Sequence, residues 1–337
     1  MHTIIHGNLF STFIAQQPER IPLGTEYEND LWNSFWGFLK SKTNLTLYEI
    51  QELSDFDEIM LAQLSTGRGD TIIKYEERPF SAYKYKVKCD EPLTFFCIKE
   101  ESEIIRKKYR KKNGYIFAFR EDLMGTWDKL SLLSLKCIHP IRKNVQVDDG
   151  FMSWSKLGDY LTPFTDAVFI DNYIFNDPSL IPSNLEQILV ELDRATPVKY
   201  NLTIFTFHGA DNKVNGQQSY DVLKEIKQRN SLKCNIELVL APRMLKEHDR
   251  QIITNYIRVK SGDSFNYFNS RGEIVTRGTE ISFGSLVNEV ERDVAMCTLG
   301  YVAEKIDDIK ERHSNSVFGE CNNMLLSGTK KLVDNGL

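Results

Sequence analysis

The residues of this chain whose types and spacing could do chemistry lie between Glu247 and Glu280. His248 stands two positions before Arg250, and Asn255 follows after the interval Gln251 to Thr254. Gly262, Asp263, Ser264, Phe265 and Asn266 come next, with Glu280 further on. An imidazole can act as a nucleophile or carry a proton near neutral pH. A guanidinium can grip two phosphate oxygens at once, a fork that lysine does not offer. Ser264 and Asn266 supply further hydrogen-bond donors for oxygens whose charge grows in a transition state. Glu280 could accept the imidazole N–H of His248 and fix its tautomer.

This pattern resembles the signature of the phospholipase D superfamily, His-x-Lys-x4-Asp-x6-Gly-Ser-x-Asn. His248 falls on the family histidine, Arg250 on its lysine, Asn255 on its aspartate and Gly262 on its glycine. Ser264 and Asn266 match the Ser-x-Asn end once Asp263 is counted as an insertion. Glu280 corresponds to a carboxylate that many members carry on a later strand. The resemblance implies a histidine that forms a phosphohistidine, a basic residue that holds the phosphate, and a second histidine that protonates the leaving oxygen. It implies no metal and no cofactor. The sequence holds one copy of the motif, so a two-histidine site requires a homodimer about a twofold axis. Arginine for lysine alters how phosphate is held, and asparagine for aspartate removes a charge that the family uses to support its histidine. His208, in Phe207-His208-Gly209-Ala210-Asp211, is read as structural or substrate-facing. The His-Asp-Arg triplet with Thr254-Asn255 is also similar to the phospholipase-D-like domain that closes certain trafficking proteins, a branch that binds without catalysis.

The elements that must position these groups are regular in the second half. Ala167–Asn172, Leu202–Phe207 and Ile236–Leu240 read as buried strands, alternating with helices after Asn184 and over Tyr220–Gln228. Asn184 is expected to cap the first of those helices. Ile252–Thr254 and Arg258–Lys260 read as a strand pair, and Glu291–Ile309 as a long closing helix. The order predicts an α/β domain over about 160–312 with a mainly parallel sheet flanked by helices. Residues 313–337 are expected to form a tail or helix.

Residues 1–150 read as an α+β domain to which the sequence assigns no role, recognition being one candidate. Leu31, Trp32, Phe35, Trp36 and Leu39 fall on one helical face and are expected to be core. A second helix is expected over Leu47–Leu64, ended by the turn Thr66-Gly67-Arg68-Gly69-Asp70. Strands are expected at Thr71–Tyr75, Ala82–Cys89, Leu93–Ile98 and Tyr115–Phe119. Arg106, Lys107, Lys108, Arg110, Lys111 and Lys112 surround Tyr109 in the strongest basic cluster, which suits either a solvated helix end or a nucleic-acid backbone.

Composition narrows the classes. With 41% hydrophobic and 26% charged residues, 337 residues are an ordinary folded chain, and the net charge of −5 argues against coating nucleic acid globally. The six cysteines form no CxxC pair, which suits neither a zinc ribbon nor a disulfide scaffold. The N-terminus has no secretory pattern, and no window approaches the roughly 18 apolar residues of a membrane helix, so a cytoplasmic protein without integral membrane association is expected. The functional expectation is a metal-independent phosphodiesterase, a nuclease by preference, acting through His248 in a homodimer. Its alternative is an inactive phospholipase-D-like module that binds a phosphate-bearing ligand, nucleic acid or a protein partner.

Overall fold

The computed structural model describes residues 1–18, 25–50, 55–78, 80, 82–134, 137–140, 150–208, 214–242, 250–276 and 280–333. The chain divides into two compact units, Met1–Leu132 and Leu133–Leu337.

The N-terminal unit runs β1 (His2–His6), α1 (Gly7–Ala15), α2 (Glu26–Ser41), β2 (Asn44–Tyr48), α3 (Asp55–Ser65), β3 (Ile73–Glu76), β4 (Thr94–Ile98), α4 (Glu103–Lys112), β5 (Ile116–Phe119) and α5 (Leu123–Ser134). Its five strands pair only in parallel, in the order β3-β2-β1-β4-β5. This α/β sheet replaces the expected α+β arrangement. Helices link β1 to β2, β2 to β3 and β4 to β5, supplying the crossover connections that parallel neighbours need. β4 and β5 are buried throughout, as apolar runs covered on both faces must be.

Two local expectations also fail. Leu47 lies in β2 and not in a helix, because Leu45 and Leu47 alternate with Thr46 in a strand held between β1 and β3. Ala82–Cys89 is not a strand. Tyr83 and Lys86 bridge each other across a tight turn, and no neighbouring strand pairs with them. The helix around Trp32 does form the core: Thr25 and Glu28 make a reciprocal capping box, and Trp32 stacks between Phe13 at 4.8 Å and Trp36 at 5.6 Å. Arg68 is buried rather than mere turn punctuation. Its guanidinium donates to the Leu39 and Thr43 carbonyls at 2.7 and 2.5 Å, with the Leu64 and Ile72 carbonyls at 3.5 and 3.4 Å.

The C-terminal unit contains β6 (Cys137–Pro140), β7 (Asp166–Ile170), α6 (Leu185–Ala195), β8 (Asn201–Phe207), α7 (Gly216–Arg229), β9 (Asn235–Ala241), β10 (Arg250–Thr254), β11 (Ile257–Ser261), β12 (Glu280–Ser285), α8 (Glu289–Arg312), β13 (Val317–Phe318) and α9 (Met324–Val333). Eight strands form one sheet in the order β13-β9-β8-β7-β10-β11-β12-β6. Only β7, β8 and β9 are mutually parallel; every other pair is antiparallel, so the sheet is mixed rather than mainly parallel. The reason is local. Asn255 and Tyr256 form a two-residue link between β10 and β11, and so short a link can join only antiparallel strands. Residues 314–333 hold the expected helix, α9, and are tied to the sheet: β13 pairs with β9, and Asn323 donates to the Ala167 carbonyl at 2.9 Å.

Candidate functional site

The carboxyl ends of β7 and β8 adjoin the start of β10, and register decides which residues meet there. β10 runs antiparallel to β7 with Gln251 opposite Ile170, so Arg250 lies beside Asp171. β11 then returns with Ser261 opposite Arg250. The hairpin therefore brings the segment Gly262 to Asn266 back to the end of β10 where it started. Aromatic packing fixes that segment from below. Phe265 packs on Phe169 at 5.3 Å, and Tyr267 stacks on Trp154 at 5.0 Å.

Asp171 is the hub. Its fully buried carboxylate accepts the Tyr173 N–H at 2.8 Å, the Phe265 N–H at 2.7 Å and the Ser264 hydroxyl at 2.9 Å. Burial pushes its pKa up to about 6, against the lowering effect of those hydrogen bonds and of the Arg250 charge. Arg250 lies over the Tyr173 ring at 5.3 Å. Asn266 donates to the Tyr173 carbonyl at 3.0 Å. Arg250, Ser264 and Asn266 are thus gathered around Asp171 and Tyr173.

This neighbourhood also holds unmet polar groups. Eight buried side-chain polar atoms among the described residues have no partner, and four of them are here: both amide atoms of Asn172, Nε of Arg250 and Oδ1 of Asn266. Buried polar groups are ordinarily satisfied, so four such atoms close together set this neighbourhood apart from the rest of the described residues.

The other expected residues fall elsewhere. Asn255 lies past the far end of β10, about 16 Å from Arg250 at strand rise. Its buried Oδ1 accepts the N–H groups of Thr165 and Asp166 at 2.8 and 3.0 Å, capping the entry to β7. It closes the turn that leads into β7. An amide oxygen accepts those bonds as a carboxylate would, so asparagine at this position takes nothing from the Arg250 neighbourhood. Glu280 is exposed, and its carbonyl accepts the Gly262 N–H at 3.1 Å. Its neighbour Ile281 pairs with Ser261, itself opposite Arg250, so strand alternation directs Glu280 to the opposite face. His208 contacts Ser316 Oγ through Nε2 at 3.1 Å, a structural tie to the segment entering β13. His248 lies outside the described residues.

Asn184 also departs from expectation. It caps no helix N–H; its side chain brackets Phe268, accepting from that residue's N–H at 2.9 Å and donating to its carbonyl at 2.7 Å. Asp171, Asn172 and Tyr173 were missed by sequence reasoning. Their signal was the polar Asp-Asn pair closing the apolar run Ala167 to Ile170, since ligands of open α/β sheets collect at carboxyl strand ends.

The basic cluster belongs to the N-terminal unit, on α4. Arg106 pairs with Glu121, Lys107 with Glu103 at 2.5 Å and Arg110 with Asp122 at 2.5 Å. Lys108, Lys111 and Lys112 have no carboxylate partner among the described residues.

The N-terminal sheet reverses its winding between β1 and β4, a second topological switch point. There His6 donates through Nε2 to Glu49 at 2.7 Å, while its Nδ1 accepts the Asn8 N–H and caps α1. Gly7 lies so close to the end of β2 that a Cβ would sit 2.7 Å from the Glu49 carbonyl oxygen. A cavity of about 430 Å³ opens nearby between α1 and the ends of β4 and β5, lined by Leu9, Phe13, Gln16, Glu101, Arg120 and Met124.

No cluster of His, Cys, Asp or Glu suited to a metal ion occurs among the described residues, and no described helix is long and apolar enough to cross a membrane. The chain matches no model of a known protein family and no curated protein.

Proposed function

We propose that the C-terminal unit is a phospholipase-D-like domain that recognises and cleaves a phosphodiester in a homodimer, with nucleic acid as the substrate class. The observation that carries this reading is the return of Ser264 and Asn266 to Arg250, at a point where four buried polar atoms lack partners. In this reading Arg250 and Asn266 hold the non-bridging oxygens. His248 attacks phosphorus, forming a P–N bond as the P–O bond to the leaving group breaks. The leaving oxygen takes its proton from His248 of the twofold-related copy, which then deprotonates the water that cleaves the P–N bond. The cap formed by Asn255 supports the reading, because the change from aspartate then lies outside the chemistry.

A metal-free cleavage assay in EDTA tests it, with single- and double-stranded DNA and RNA as substrates. Wild-type cleavage should disappear in His248→Ala and fall at least a hundredfold in Arg250→Ala. A well-folded wild type that cleaves none of the four would sink it.

One observation favours the second reading, a phosphate-binding module without turnover. The buried carboxylate of Asp171 faces Arg250 and offsets part of its charge, which weakens an electrophilic clamp more than a binding site. Under that reading the chain would take up a short oligonucleotide in an Arg250-dependent manner and leave it intact, and His248→Ala would bind as well as the wild type.

A further inference from the structure

Two segments that look unrelated in sequence meet on the N-terminal unit. The turn at Tyr83–Lys86 packs against the second half of α4. Asn113, just past the helix, accepts the Val87 N–H at 2.9 Å and donates to the Tyr85 carbonyl at 2.8 Å. Lys112 donates to the Lys84 carbonyl at 3.2 Å, and Tyr85 meets Tyr109 edge-on at 5.5 Å. Lys108 and Lys112 lie over the Tyr85 ring at 5.1 and 5.7 Å.

The result is a sorting of charge. Carboxylates take up Arg106, Lys107 and Arg110. Lys108, Lys111 and Lys112 share one face at i, i+3 and i+4, all exposed. The turn adds Lys84, Lys86 and Lys88, also exposed. None of these six lysines is paired with a carboxylate among the described residues. Beside them Tyr83 is 75% exposed, with the Lys84 ammonium 5.1 Å from its ring.

A solvated lysine face would need nothing more than exposure, but this one carries strain. Lys84 and Tyr85 both adopt left-handed backbone conformations, φ 49° and 67°, where neither residue is at ease. The turn is nevertheless closed by the Lys86 N–H to the Tyr83 carbonyl at 2.9 Å, and it holds an aromatic ring out among cations.

We infer that the surface of Tyr83, Lys84, Lys86, Lys88, Lys108, Lys111 and Lys112 binds single-stranded nucleic acid. The lysines follow the phosphate backbone, and the outward ring of Tyr83 offers a stacking platform for a base, a contact that a paired duplex denies. This surface stands on its own observations and does not depend on phosphodiester cleavage by the C-terminal unit.

The test is fluorescence anisotropy with labelled 20-nucleotide dT and rU strands, a 20-base-pair duplex and anionic phosphatidylserine vesicles. The protein is the full chain carrying His248→Ala, so that cleavage cannot remove the probe. The triple variant Lys84→Ala, Lys108→Ala, Lys112→Ala should bind single strands at least tenfold more weakly and lower the salt slope by about 2. The triple variant Arg106→Ala, Lys107→Ala, Arg110→Ala makes the same change in net charge and should lose less than twofold, with thermal melting to verify that both triples fold. Tyr83→Ala should weaken single-strand binding severalfold, and Tyr83→Phe should restore it. Equal losses in the two triples would overturn the inference, as would binding of vesicles but not oligonucleotides. Duplex affinity matching that for single strands, with Tyr83→Ala neutral, would overturn the single-strand assignment.

Discussion

The two sheets end differently at their carboxyl edges. In the N-terminal sheet the histidine at the end of β1 has both ring nitrogens in use, one on Glu49 and one capping α1. In the C-terminal sheet the groups at the end of β7 are crowded around one buried carboxylate, and four polar atoms are unmatched among the described residues. Topology nominates both edges, because open parallel strands collect ligands at their carboxyl ends. The state of the buried polar atoms separates them. One edge is satisfied by the chain itself; at the other, four buried polar atoms have no partner among the described residues.

That contrast can be broken by mutation. Asp171→Ala removes three accepted hydrogen bonds from partly or fully buried donors, so a loss of about 3 kcal/mol is expected in urea denaturation. Asn255→Ala strands the Thr165 and Asp166 N–H groups and should cost about 2–3 kcal/mol, whereas Asn255→Asp should cost less than half as much. If the two Asn255 variants proved equally damaging, the cap would not be the residue's role.

The buried Asp171 also predicts a pH signature. Its folded pKa, about 6, is above the ordinary 3.8, so the native state holds this proton more tightly than the unfolded chain. Its contribution is therefore most favourable below pH 4 and declines as pH rises to 6, by on the order of 2 kcal/mol. Asp171→Asn should flatten that decline relative to wild type; an unchanged slope would assign it to another group.

Smaller effects belong to the N-terminal edge. Gly7→Ala forces a Cβ toward the Glu49 carbonyl and should cost about 1–2 kcal/mol by thermal or chemical denaturation. Glu49→Ala should cost less than about 1 kcal/mol, because the His6–Glu49 pair is partly solvated. A loss from Glu49→Ala as large as that from Asp171→Ala would erase the distinction between the two edges.

Sequence periodicity revealed β7, α6, β8, α7 and β9 because each is a continuous apolar run or stripe bounded by a clear stop. It missed β1, a five-residue strand at the chain start, and absorbed β2 into a helix, since short apolar runs carry no length signal. It made a strand of Tyr83–Lys88 because alternation is shared by a strand and by a turn lying on a helix. At the site, the spacing of Arg250, Ser264 and Asn266 was legible, and register brings them together. The place of Asn255 was not, because the number of residues in a motif does not show that a strand carries its two ends apart. The face on which Glu280 lies was hidden for a similar reason: one step along a strand reverses the face.

Arg68 joins places that are far apart in the chain. Its guanidinium draws together carbonyls at the end of α2, before β2, within α3 and before β3, with hydrogen bonds rather than ion pairs. Such a junction makes local opening collective. Amide hydrogens of α2, α3, β2 and β3 should exchange with solvent as one block, slowly and with a common free energy. In Arg68→Met, which keeps the bulk but not the donors, that block should divide. α3 and the edge strand β3 would then exchange early while β1, β4 and β5 stayed protected.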